Sequence, residues 1–211
     1  MNLQPPCAYT AAVRFLTDFA DQAVILPLAL AIFLMLTAGG WWRGGVAWIF
    51  CVGTTLAAVG LGKVLLAACG PIQLGAALAS PSGHTASATI VYGGLLVLLW
   101  RADGARQRRA RVVCVIAIAA LIGLTRIALG AHTWPDVIAG AFAGLAGIAC
   151  LARLAGPPPR PRIARLLAVT IVVIGIMHGT HLRAESDIQG VAHRLAALLP
   201  GCGAPVTQTR P

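Results

Sequence analysis

The sequence predicts an all-α, polytopic membrane helical bundle of about six transmembrane helices, and three observations carry that expectation. Of its 211 residues 58% are hydrophobic and only 10% charged, with a mean hydropathy of +0.84, whereas a soluble domain carries roughly a quarter charged residues. The apolar residues form windows of about 20, the length at which a helix rising 1.5 Å per residue crosses a ~30 Å hydrocarbon layer. The basic residues collect between these windows: Arg43, then Arg101, Arg106, Arg108, Arg109 and Arg111, then Arg153, Arg160, Arg162 and Arg165. Six spans leave about 90 positions for loops and termini, too few for a separate soluble domain of usual size. A single membrane domain over residues 1–211 is therefore expected.

The first span is expected over residues 22–39, with Pro27 near its start, where proline is tolerated, and Gly39-Gly40 at its end. Residues 15–21 before it are polar enough for the interface, and Trp41, Trp42 and Arg43 after it make an aromatic and basic anchor. The second span, 46–69, contains Lys63, and the third, 85–100, follows a loop over 70–83. An Arg-rich loop precedes the fourth, 112–129, and a break ending at Trp134 precedes the fifth, 135–154. The linker GPPPRPR is too proline-rich for helix, so the sixth starts at 163 and ends near 180. In the polar tail 183–211, Ile188, Val191, Leu195, Leu198 and Leu199 share one helical face, which predicts a short surface helix. No internal repeat and no cleavable leader are read here.

The net charge of +10 does not point to nucleic acid, because the arginines sit in loops between spans, as the cytoplasmic-side bias requires. That bias puts the 70–83 loop, the 130–134 break and both termini on the opposite face. Cys51, Cys114 and Cys150 fall in apolar stretches and read as small buried hydrophobes, and no cysteine pair has metal-ligand spacing. Whether Cys7 and Cys202 pair is left open.

A few ionisable residues occupy places where they are costly. Lys63 is the only lysine and lies in the apolar run 61–68, where a mid-bilayer cation costs about 2.5–3.5 kcal/mol. Arg126 repeats the pattern in 124–129. Each alone reads as a side chain snorkelling from a helix end. In Ser80-Pro81-Ser82-Gly83-His84, Pro81 and Gly83 hold off the helix while Ser82 caps it, so its first N–H groups form an anion cradle. His132 precedes Asp136 by four residues, and Pro135 places Asp136 in a first helical turn, from which it reaches back to one ring nitrogen. A carboxylate-oriented histidine is a nucleophile or base arrangement. Because all these groups share one side of the membrane, and polar groups in spans face the bundle interior, they define an electropositive pocket suited to a phosphate group.

The same residues resemble the type 2 phosphatidic acid phosphatase superfamily, the membrane relatives of vanadium-dependent haloperoxidases. Its motifs are Lys-x6-Arg-Pro, Pro-Ser-Gly-His and Ser-Arg-x5-His-x3-Asp. Here the first reads Lys63 to Gly70-Pro71, the second is intact at residues 81–84, and the third reads Thr125-Arg126, His132, Asp136. The resemblance implies metal- and cofactor-independent hydrolysis of a lipid phosphate or diphosphate through a phosphohistidine. His132 would attack phosphorus, Asp136 would orient it, and His84 would protonate the leaving oxygen. Lys63, Ser82, the Gly83 amide and Arg126 would hold the phosphoryl oxygens. Gly70 stands where the family has arginine, so one bidentate phosphate clamp is missing. Implied partners are the bilayer and the lipid substrate, with no nucleic acid or protein, in a bacterial-type inner membrane with the site facing the periplasm. The alternatives are a lipid phosphotransferase using the same site, and an anion-binding or transport protein with impaired catalysis.

Overall fold

In the computed structural model, residues 7–70, 72–74, 76–100, 104–156, 163–182 and 184–198 are described. The chain is an all-α membrane bundle. Helices α1 (Cys7–Asp18) and α2 (Gln22–Ala38) meet at an elbow, and α3 (Trp42–Cys69) follows. Strands β1 (Ile72–Leu74) and β2 (Ala76–Leu78) form an antiparallel hairpin in the expected loop, with Ile72 opposite Leu78. The next span runs from Gly83 to Leu99 as α4 (Gly83–Ala88), a π-helical turn over Thr89–Gly93, and α5 (Gly94–Leu99). Then come α6 (Ala105–Ala128), α7 (Trp134–Leu154), α8 (Ile163–Met177) and α9 (Ala184–Leu198).

Local chemistry sets the boundaries. The Asp21 carboxylate accepts the Ala23 N–H at 2.8 Å and caps α2. The α2–α3 turn passes through Gly40 at φ +83°, a conformation that favours glycine. Two boundaries differ from the sequence reading. Residues 7–18 are helical, and so are Arg106, Arg108, Arg109 and Arg111, which form the exposed first turns of α6 instead of a loop. Arginine is a good helix former, so a run of charge marks solvent exposure and says little about backbone conformation.

The core is apolar and central. Ile25, Leu28 and Ile32 of α2 meet Trp48 and Val52 of α3, and Ile90 and Leu151 close the cluster from the π turn and α7. Trp48, fully buried, donates its indole N–H to the Ala29 carbonyl at 2.9 Å. A stripe of glycines lets α7 approach α4 and α3 closely. A Cβ on Gly140 would lie 2.4 Å from the Ser82 carbonyl oxygen, and one on Gly144 would lie 2.5 Å from Thr89 Cβ. Without side chains at these positions, the backbones of α7 and α4 pack directly.

The antiparallel run of α3, α4–α5, α6 and α7 separates the two ends of the bundle. At one end Arg43 donates to the Leu154 carbonyl at 2.8 Å and Arg111 to the Trp100 carbonyl at 3.1 Å. The opposite end gathers the C-terminus of α3, the start of α4, the end of α6 and the start of α7. Helix α9, expected on the surface, packs against α3. Its packed face overlaps the expected one in part: Ile188 and Leu195 are half-buried beside buried Ala192, while Val191 and Leu198 are exposed, and Leu199 lies outside the described residues.

Candidate active site

Asp136 organises the end of the bundle away from the arginines. It is the third residue of α7 and is buried; Oδ2 accepts the Thr133 N–H at 3.0 Å and the Thr133 hydroxyl at 2.9 Å. Its other oxygen, Oδ1, accepts the N–H groups of Ala79 and Ser80 at 3.1 and 3.0 Å, and its own carbonyl accepts the Ser82 N–H at 2.9 Å. One aspartate therefore caps its helix and pins the chain entering α4. His132 Nδ1 lies 3.7 Å from Oδ2, an ion-pair distance longer than a hydrogen bond. The carboxylate thus faces the imidazole as expected, while four donors from the backbone and Thr133 hold it in place.

The pinned segment positions Ser82 as the N-cap of α4. Its oxygen accepts the Thr85 N–H at 3.3 Å and the Thr85 hydroxyl at 2.9 Å. As acceptor in both, Ser82 keeps its own O–H as a donor. Lys63 is buried on the neighbouring α3, and its Cε lies 3.6 Å from where a Gly83 Cβ would stand. The ammonium arm therefore passes over the first amide of α4, where helix dipole and cation reinforce each other toward an anion. His84 lies within electrostatic reach of Arg126, Lys63 and His132. The structure thus brings Lys63, Ser82, Gly83, His84, Arg126, His132 and Asp136 to one end of the bundle.

Sequence reasoning missed the contribution of the α1–α2 elbow. The Thr17 hydroxyl accepts from Arg126 Nη1 at 3.4 Å, and Asp21 Oδ2 lies 3.9 Å from His84 Nε2 and 3.5 Å from His181 Nδ1. No local spacing connects these residues to the motifs; the juxtaposition is tertiary. His178 is half-buried and packs on Phe15 and Phe19, with ring centroids 4.5 and 4.6 Å away. His181 reaches the elbow through Asp21. Arg183 and Cys202 lie outside the described residues, and the Cys7 side chain is likewise not described.

Two cavities meet at His84. One, of about 420 Å³, is polar and lined by Arg14, Thr17, Asp18, Arg126 and His181. The other, of about 310 Å³, contains Lys63 and Gly83 and continues along Leu26, Leu56, Val59 and Ile188. Asp21 and His84 line both.

Residues 67–157 match the family model described as the PAP2 superfamily. The match begins just after Lys63 and contains Ser82, Gly83, His84, Arg126, His132 and Asp136. A Klebsiella pneumoniae protein described as an uncharacterized 22.5 kDa protein in the cps region is 26% identical over 205 residues, covering 93% of this chain and 95% of that one. No solved structure matches the chain.

Proposed function

Because residues 67–157 match the model of the PAP2 superfamily, a superfamily of phosphatases, we propose that the chain is a single-domain membrane phosphatase acting on a lipid phosphate or diphosphate. The observation that carries the reading is the convergence of Lys63, Arg126 and the N-terminus of α4 on the two histidines. The second cavity supports a lipid substrate: a phosphate beside Lys63 and His84 would have an apolar channel leading away from it along α2 and α3.

In the proposed reaction, His132 attacks phosphorus with its ring nitrogen lone pair. The bond to the leaving oxygen breaks, its electron pair goes to that oxygen, and His84 supplies the proton. Asp136 holds His132 and offsets the positive charge on the phosphorylated ring. Lys63, Arg126, the Ser82 hydroxyl and the Gly83 amide bind the phosphoryl oxygens as negative charge spreads over them. Water, giving a proton back to His84, then attacks phosphorus and releases phosphate from His132. These steps need only protein groups and water, so the reaction is proposed to be metal-independent.

The site is proposed to face the periplasm of a bacterial inner membrane. Arg43, Arg108, Arg109 and Arg153 belong to the opposite end, as expected for a cytoplasmic surface. Cys69, the last residue of α3 at the site end, is disulfide-bonded, which suits an oxidising compartment.

Gly70 allows a prediction about the missing arginine. Its φ of +92° and ψ of 167° lie in a region essentially restricted to glycine. Gly70→Arg is expected to cost about 1–3 kcal/mol and not to raise activity; a faster enzyme with an unchanged thermal midpoint in detergent would contradict this. The reading as a whole is tested by phosphate release from purified protein in detergent and EDTA, across phosphatidic acid, phosphatidylglycerol phosphate and a polyprenyl diphosphate. Release from at least one is expected, and silence on all of them would remove the proposal.

A further inference from the structure

The elbow between α1 and α2 lies outside the matched segment, yet it places a buried carboxylate beside His84. We propose that Asp21 is the positioning residue for His84, holding its imidazole for proton donation to the leaving oxygen, so that each of the two histidines has its own aspartate. This inference deepens the phosphatase reading and rests on it.

Three observations support it. First, the elbow is fixed. Tyr92 donates its hydroxyl to the Phe19 carbonyl at 2.6 Å, and Ser87 donates to the Ala20 carbonyl at 3.2 Å, so the span that carries His84 also grips the two residues before Asp21. Asp21 Oδ1 is engaged by the N–H groups of Ala23 and Leu182 at 2.8 and 3.2 Å. That leaves Oδ2 turned toward His84 Nε2 at 3.9 Å, with His181 Nδ1 at 3.5 Å on its other side. The 3.9 Å separation is an ion-pair distance, the loose geometry common for a catalytic pair before substrate arrives.

Second, the charges require a local anion. An imidazolium at His84 would stand within reach of Lys63, Arg126 and His132, and the carboxylate that faces it is Asp21. Asp136 is already held by the donors of Ala79, Ser80 and Thr133. His181 Nδ1 lies between the two elbow carboxylates, 3.5 Å from Asp21 and 3.9 Å from Asp18, and Arg14 lines the same cavity. Third, Asp21 and His84 line both cavities. In a lipid phosphate the bond that breaks joins the phosphoryl group to the lipid, so the leaving oxygen belongs at the boundary between a polar chamber and an apolar one.

In the step itself, the His132 nitrogen–phosphorus bond forms while the phosphorus–oxygen bond to the lipid breaks. The leaving oxygen takes that electron pair and the His84 proton and departs as an alcohol. His84 becomes neutral, and the water that later hydrolyses the phosphohistidine restores its proton.

The test compares leaving groups. Asp21→Asn keeps an oxygen able to cap α2 but removes the charge; Asp21→Ser supplies a second uncharged cap should the first variant not fold. Turnover is measured on phosphatidic acid, whose alkoxide needs a proton, and on p-nitrophenyl phosphate, whose phenolate leaves without one. On phosphatidic acid kcat is expected to fall by about 10²-fold, at least ten times more than on p-nitrophenyl phosphate, with vanadate inhibition retained. Equal losses on both substrates, no loss on either, or loss of vanadate inhibition would overturn the role given to Asp21. Where phosphatidic acid is not turned over, the lipid phosphate that is takes its place; a wild-type protein inactive on every one of them would remove the phosphatase reading and this inference with it.

Discussion

The His132→Ala protein is expected to release phosphate at least about 10⁴-fold more slowly than the wild type, because removing a covalent nucleophile abolishes the pathway and leaves only electrostatic assistance to water. Folding should be little affected. His132 lies in the turn before α7, and the hydrogen bonds that fix this turn belong to Thr133 and Asp136. Vanadate should still bind, since Lys63, Arg126 and the α4 N-terminus would remain. The decisive measurements are single-turnover kinetics and acid-labile phosphate on the protein from a labelled lipid phosphate. The wild type should show the label and the variant should not. A variant that turned over within tenfold of the wild type would rule out His132 as nucleophile.

Asp136→Asn is expected to be nearly as damaging for a different reason. The carboxylate accepts four hydrogen bonds, two on each oxygen, and an amide has only one acceptor oxygen. Whichever way the amide turns, its NH₂ faces backbone donors: both N–H groups of Ala79 and Ser80, or the N–H of Thr133, whose hydroxyl alone can turn to accept. Each buried donor left unsatisfied costs about 1–3 kcal/mol. The predicted outcome is a thermal midpoint lowered by several degrees in detergent together with a rate reduced by about 10³-fold. The rate falls because His132 loses its counter-charge and the segment leading to Ser82 loses its pin. An Asp136→Asn protein with wild-type stability would show that this carboxylate does not organise the 79–82 segment.

Much of this site was legible in the sequence because charge in an apolar span is costly. Lys63, Arg126 and the His132–Asp136 spacing stood out against surroundings that should exclude them, and motif order linked them. Among the described residues four helices, over 8–38, 42–69, 105–128 and 134–154, are long and apolar enough to cross a membrane, and they were legible for the same reason, as apolar windows of that length. The helices over 83–99 and 164–177 are shorter. Less visible were features whose cause is tertiary. Asp21 falls in a stretch that reads only as polar enough for the interface, and it is the packing of the elbow against Ser87 and Tyr92 that places it near His84. The second set of partners for Asp136, the N–H groups of Ala79 and Ser80, is more than fifty residues away in sequence. The α9 face was legible only in part, through Ile188 and Leu195, because helical periodicity identifies which residues align, while the surface of α3 decides which of them are covered.

The span beginning at the capped Ser82 has a further consequence. From Gly83 to Leu99 it has 17 residues and contains a π turn, so it is about 25 Å long, less than the ~30 Å hydrocarbon thickness. Its neighbour α3, with 28 residues, is long enough to overshoot that thickness. Shorter than its neighbours and buried among them from Thr85 to Val91, the span is walled by protein over most of its length. The segment that carries the anion cradle thus owes its seat to the helices around it, so its length need not match the thickness of the host bilayer.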